Sequence, residues 1–158
     1  MAAGGIIRAL ERNKWVIDAQ TAGLDDAASV LQAGFRANCL NWVVGHIVAS
    51  RDEVLRALGE ATLLSRDQTA LYARESEPIH GSDSPHVPLE RLLGLLGESQ
   101  AVIASALTTL SEDELHGPLG PSGQSLLEWL SFLVWHETYH AGQTDVLRQL
   151  AGTDDKVI

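Results

Sequence analysis

Residues Ser125–Gly152 read SLLEWLSFLVWHETYHAGQTDVLRQLAG, and this stretch decides the fold. It opens on a capping box. Ser125 and Glu128, three residues on, each offer a side-chain acceptor to a backbone N–H that the first helical turn leaves free. Leu126, Trp129, Leu133, His136, His140 and Leu147 then fall in one band at helical spacing. Carried through to Gly152, the helix spans about 27 residues, or about 40 Å. An apolar band of that length is stable only against other elements.

Three further segments upstream show the same period, and none alternates as a strand would. The first runs from about Gly5 to Leu24, with Ile6, Leu10, Ile17 and Leu24 on its stripe and Ala9 and Val16 beside it. A polar, irregular stretch follows to about Ala37. The second helix starts near Asn38, whose side-chain oxygen is a natural N-cap. Leu40, Val43, Ile47, Val54 and Leu58 form its stripe, and Gly59 stands where a glycine ends a helix. Residues 61–88 are less regular, with room for one short helix between Thr62 and Glu75. The third helix starts at Pro88 or Leu89, since proline suits a first turn. It carries Leu89, Leu92, Leu93, Leu96, Ile103, Leu107 and Leu110. Ser111 and Glu114 make a second capping box. Four amphipathic helices bury their stripes against one another, which predicts an all-α four-helix bundle over residues 1–158 as a single domain. The two halves echo each other: an amphipathic helix, an acidic turn, a small-residue loop, then a tryptophan-bearing helix with histidine.

The composition agrees and narrows the function. With 158 residues, 45% of them hydrophobic and 20% charged, the chain can bury a core and is unlike a disordered segment. Its formal net charge of −10 repels phosphate backbones and anionic lipid, so nucleic acid and membrane surfaces are excluded as expected partners. Cys39 is the one cysteine and forms no intrachain disulfide, which points to a reducing compartment. No apolar run reaches the roughly 18 residues that spanning a bilayer needs, and no leader-like segment opens the chain. The expected location is the cytoplasm.

The chemistry sits in His136-Glu-Thr-Tyr-His140. Residues four apart on a helix differ by about 40° in azimuth, so both imidazoles leave one face a turn apart and can share a metal ion. The band places them toward the core, where an unpartnered pair would cost desolvation. Polar residues at a bundle end are the plainer reading of such a pair. His46 shifts the balance, because it lies beside Val43 and Ile47 on another helix and points the same way. Three neutral histidines leave one coordination position open for water or substrate. The pentapeptide also matches the H-E-x-x-H pattern of metallopeptidases, in which the glutamate is the base. Those enzymes need a third ligand downstream. Only 18 residues follow His140, with Asp145, Asp154 and Asp155 as carboxylates, so a peptidase is not expected.

Asn38-Cys-Leu-Asn-Trp42-Val-Val-Gly45-His46-Ile47 resembles the second-helix signature of the DinB/YfiT-like family. His136-Glu137-Thr-Tyr-His140-Ala-Gly142-Gln143, followed by Leu147 to Gly152, resembles its fourth-helix signature. Cys39 departs mildly, standing where many relatives have serine. The resemblance implies metal ligands at His46, His136 and His140, a four-helix bundle of unusual connectivity, and a homodimer. Family members include transferases that use low-molecular-weight thiols, which implies a divalent metal, zinc or nickel first and iron or another ion after them. The implied partners are a small electrophile and such a thiol. A metal-dependent hydrolase and a non-catalytic metal-binding bundle are the alternatives.

Other residues have weaker roles. Glu137 lies about 60° from His140 around the helix. It is a candidate catalytic base at the edge of the site, set against a solvated carboxylate or a partner to a histidine N–H. Gln143 is either a second such partner or merely polar packing. Trp42, Trp135 and Tyr139 either line a pocket mouth or pack in the core or a dimer interface. Cys39 reads as a small buried filler. His80, His86 and His116 read as surface residues, with His86 the weakest candidate for a fourth ligand.

Overall fold

A computed structural model describes residues 2–34, 37–121, 123–153 and 155. The expected domain over 1–158 therefore reaches slightly beyond the described residues at both ends. Four long helices carry the architecture: α1 (Ala3–Thr21), α3 (Leu40–Ala57), α5 (Leu89–Thr109) and α7 (Leu126–Leu150). Short helices punctuate the connections: α2 (Asp26–Ser29), α4 (Arg66–Leu71) and α6 (Glu112–His116). No strand forms among the described residues.

Local chemistry explains most boundaries. Ser65 with Gln68, Ser111 with Glu114, and Ser125 with Glu128 form complete capping boxes at the starts of α4, α6 and α7. Asp25 caps α2 by accepting the Ala28 N–H, which gives helical form to part of the stretch expected to be irregular. Phe35 and Arg36 in that stretch lie outside the described residues. Two boundaries differ from expectation. α1 stops at Thr21, three residues short of Leu24, where Gly23 turns the chain at φ 77° and the Leu24 N–H returns to the Thr21 carbonyl. Asn38 does not cap α3. It is exposed, and Cys39 holds the cap position in extended backbone, its carbonyl accepting the Val43 N–H at 3.1 Å.

The long helices pack in the cyclic order α1–α5–α3–α7, so α3 lies directly against both α5 and α7. Helices joined through α2, and those joined through α6, sit diagonally across the bundle, an unusual connectivity. The core divides into two clusters. One gathers Ile17, Leu40, Val43, Val44, Ile47, Tyr72, Leu92, Leu95, Ala141 and Leu147. The other gathers Ile6, Leu10, Val54, Leu55, Ile103, Leu107, Leu130, Leu133 and Val134. α5 is the one described helix long and apolar enough to cross a membrane, with a mean hydropathy of 1.2, so the expectation that no run reaches that length is corrected. Its apolar side packs on α1 and α3 within the bundle.

A polar layer lies between the clusters. Arg51 is buried in the middle of the apolar stripe of α3, and all five of its N–H groups are satisfied. Nε and Nη2 donate to Glu137 Oε2 and Oε1 on α7, each at 2.8 Å. Nη1 donates to the Leu96 carbonyl and Ser99 Oγ on α5. The second Nη2 hydrogen goes to the Leu10 carbonyl on α1 at 3.2 Å. One guanidinium thus bonds to the three other long helices.

Candidate metal centre

α3 and α7 face each other, and they bring together the three histidines that the sequence singled out. His136 Nε2 lies 3.3 Å from His46 Nε2 and 3.1 Å from His140 Nε2. Imidazoles bound tetrahedrally at about 2.0–2.1 Å would set neighbouring nitrogens about 3.3 Å apart. Those two spacings fit ligands of one ion, the ligand atoms of all three histidines lie within 4.8 Å of one another, and all three residues are half-buried.

The outer nitrogens decide which way the lone pairs point. His46 Nδ1 is 2.7 Å from the Tyr72 carbonyl oxygen, which can only accept, so Nδ1 carries the proton and the neutral form of the ring presents its lone pair at Nε2. His140 Nδ1 donates likewise to Gln143 Oε1 at 2.7 Å, so Gln143 partners the ring and does not merely pack beside it. Two bare lone pairs therefore converge on His136 Nε2, and His136 Nδ1 is buried with no partner of its own. A cation at the centre answers that arrangement. Burial lowers the His140 imidazole to about 4, outweighing the Gln143 hydrogen bond, with the neighbouring His46 and His136 adding to the effect. Burial, then His46, lowers His136 as well. Both rings are held neutral, the state in which imidazole ligates a metal.

The two α7 histidines flank the buried face instead of centring it. That face runs through Leu130, Leu133, Val134, Glu137, Ala141, Thr144 and Leu147. The rotation that separates Glu137 from His140 carries the carboxylate inward. Glu137 is 2% exposed, and Arg51 takes both its oxygens. The expectation of a carboxylate at the edge of the site, available as a base or solvated, is corrected: Glu137 lies in the interior of the bundle, paired.

Aromatic rings surround the triad unevenly. Trp42 is buried and stacks on His46 with centroids 4.7 Å apart, while its Nε1–H donates to Ser76 Oγ. Tyr139 meets His140 edge-on at 5.2 Å, and Phe132 stacks near His136 at 6.2 Å. Phe132, Trp135 and Tyr139 are all more than half exposed. Phe132 escaped sequence reading, although it is four residues before His136 and so shares its side of the helix.

The remaining candidates lie elsewhere. Cys39 is buried, its thiol pushed up by burial, which fits a filler. His86 is no fourth ligand, because its Nε2 faces Asp26 Oδ2 at 2.9 Å and its Nδ1 the Ser84 carbonyl. His80 is exposed, and so is His116, which ends α6 near Glu112. Asp145 takes hydrogen bonds from Gln20 and Gln149, and Asp155 pairs with Arg148; Asp154 lies outside the described residues.

Sequence reasoning missed Tyr72 and Arg51. Arg51 left a readable signal, a charge inside an apolar stripe (Val44, Ile47, Val48, Arg51, Leu55). Tyr72 left none in the spacing, since it reaches His46 from beyond the end of α4.

Comparison with known proteins places these features. A solved structure, described as a conserved protein of a locus from Enterococcus faecalis, superposes with a TM-score of 0.75 at 18% identity, covering 97% of this chain and 99% of the other. That likeness concerns the fold. No curated protein matches the chain. The sequence pattern of the DinB superfamily matches residues 11–144, a span that begins within α1, ends within α7 and includes all three histidines. The chain belongs to the DinB superfamily.

Proposed function

We propose that His46, His136 and His140 hold one divalent metal ion, zinc or nickel foremost, and that the protein uses it to join a low-molecular-weight thiol to an electrophilic small molecule. The observation that carries the metal is the convergence of three Nε2 atoms, two of them fixed as lone pairs by acceptors behind their rings. Three half-buried ligands support catalysis over a purely structural ion, which is ordinarily enclosed by four protein ligands. A divalent ion at this place would supply the positive charge that keeps a thiol deprotonated near neutral pH.

The chain's own part is to hold three imidazole donors in register and to shield them. Trp42 covers one face of His46, and the half-exposed rings of Phe132 and Tyr139 flank the α7 ligands. These walls suit an uncharged, apolar electrophile. In the transfer itself the thiolate sulfur attacks carbon, a C–S bond forms, and the leaving group departs with the electron pair of the broken bond. The thiol's proton goes to solvent.

The test uses monochlorobimane as electrophile and a panel of cysteine, glutathione and coenzyme A as thiols, with zinc- or nickel-loaded protein. The expected result is thiol adduct and released chloride at a protein-dependent rate, lost on chelation and in His140→Ala. A rate equal in wild type, His140→Ala and buffer with every thiol would sink the transferase reading. A metal content of one per chain would survive that outcome as a separate result.

A further inference from the structure

We propose that Tyr72 is a positioning residue for His46, and that Gly45 is a glycine so that the Tyr72 ring can lie against α3 and set that histidine. The inference rests on the metal reading for its functional meaning. Its geometry stands by itself.

Gly45 precedes His46 in the middle of α3, where glycine is a poor helix former and alanine would ordinarily stabilise. A Cβ at position 45 would overlap Cδ1, Cε1 and Cζ of Tyr72, the last at 2.5 Å. The ring therefore occupies the space that every other residue's side chain would need. Its contact is with the ring's body, which cannot swing aside as a flexible side-chain end could.

The ring is also locked from its far end. Tyr72 is fully buried. Its hydroxyl donates to Asn41 Oδ1 at 3.1 Å and accepts the Val87 N–H at 2.8 Å. Asn41 Nδ2 in turn donates to the Val87 carbonyl at 2.9 Å. The side chain is thus fixed between α3 and the segment leading into α5. With the side chain fixed, the Tyr72 carbonyl stands where His46 Nδ1 donates to it. That bond selects the tautomer and the ring plane that turn Nε2 toward His136. Four residues on, Ser76 accepts from Trp42, the indole stacked on the same imidazole. The segment Tyr72–Ser76 therefore governs both the edge and the face of His46, although none of its residues is a candidate ligand. Partners behind a metal-binding histidine commonly change metal affinity by about 10- to 100-fold.

The experiment has two readouts on three proteins: wild type, Gly45→Ala and Ile103→Val. The first is long-range proton–nitrogen NMR of the histidine rings in metal-free protein. Wild type is expected to show His46 with its proton on Nδ1, and Gly45→Ala to show a mixture. The second is Co²⁺ titration followed by its visible absorption. Gly45→Ala is expected to bind about 10- to 100-fold more weakly with an altered spectrum. Ile103→Val trims one methylene in the other core cluster, away from Tyr72 and His46, and serves as the stability control. It is expected to melt earlier yet retain the His46 tautomer and a Co²⁺ affinity within about twofold of wild type. A merely structural role predicts the opposite pattern, with site changes following stability in both variants.

The inference is overturned if wild-type His46 carries its proton on Nε2, a result that needs no variant to fold. It is overturned equally if Gly45→Ala leaves tautomer, affinity and spectrum unchanged. Wild type that takes up no Co²⁺ sinks the metal reading, and the NMR result on metal-free protein then decides the positioning of His46 without it.

Discussion

The residue that most changes the meaning of this sequence is Glu137. In H-E-x-x-H the glutamate invites reading as a base, yet here it is half of a buried ion pair whose other half is Arg51. The two residues are 1% and 2% exposed, so neither charge has water to fall back on. Removing one partner strands the other. Arg51→Ala is therefore expected to cost about 3–5 kcal/mol. Replacing both with apolar residues of similar size, as in Arg51→Met with Glu137→Leu, removes the pair's desolvation penalty together with its attraction. That double variant is expected to be close to wild type in stability or above it. It is also expected to keep one metal ion per chain, because the pair bonds to helices and touches no candidate ligand. Urea unfolding of the two variants, with elemental analysis of the double, checks this. A double variant as unstable as Arg51→Ala would mean that the layer's hydrogen bonds to Leu10, Leu96 and Ser99 matter more than its charges.

At the scale of elements, the loop that leads into α5 is pinned by a pair with a definite pH signature. His86 meets acceptors at both nitrogens, the Ser84 carbonyl and Asp26 Oδ2, and satisfies both only as an imidazolium. Asp26 also takes the Leu89 N–H at the start of α5. Burial pushes His86 down, but its bonds to Asp26 and Ser84 and the Asp26 charge outweigh it, so the group ends raised. Burial likewise pushes Asp26 up, and His86 and the Leu89 N–H bring it lower overall. A raised histidine stabilises fully below its unfolded value and loses that contribution as pH climbs through the folded one. A lowered aspartate stabilises fully above its unfolded value and loses it as pH falls through the folded one. The pair is therefore whole between about pH 4 and 6.5. The melting-temperature gap between wild type and His86→Gln is expected to be largest near pH 5 and to shrink toward pH 8–9. A gap that does not change with pH would show that His86 is neutral in the fold. This pair also marks where the sequence stops being legible. Capping boxes are visible in sequence because both partners lie within four residues; the two read at Ser111 and Ser125 form, and a third, unread, forms at Ser65 with Gln68. His86 with Asp26, Tyr72 with Gly45, and Arg51 with Glu137 join residues brought together only by the packed chain. No spacing rule reveals them. The cap of α3 failed for a related reason: two adjacent residues could each start the helix, and the backbone turns at Cys39 instead of Asn38.

For the whole molecule, the cyclic order of the long helices is what brings His46 on α3 to the His136–His140 pair on α7 and so assembles the candidate metal site. The echo between the two halves is matched in the element order, long helix, short helix, long helix, with α3 and α7 as the corresponding last members. Those two helices lie side by side, so His46 meets His136 and His140 across one interface, 90 and 4 residues from His136 in sequence. An ion held there ties α3 to α7 in the folded state and has no preformed site in the unfolded chain. Its binding energy is then folding energy. At free metal about 100 times the dissociation constant, the added stability is about 2.7 kcal/mol. For a chain of this length, that corresponds to a rise of about 5–10 °C in melting temperature. Zinc-loaded protein is therefore expected to melt higher than the same protein stripped by a chelator, and readdition should restore the difference. His46→Ala supplies the control, because it removes the one ligand from α3 while leaving the α7 pair intact. Stripped wild type and His46→Ala should then respond alike to chelator, that is, hardly at all. If wild type, shown metal-free by elemental analysis, melts where the loaded protein does, the ion does not tie these helices, whatever chemistry it performs.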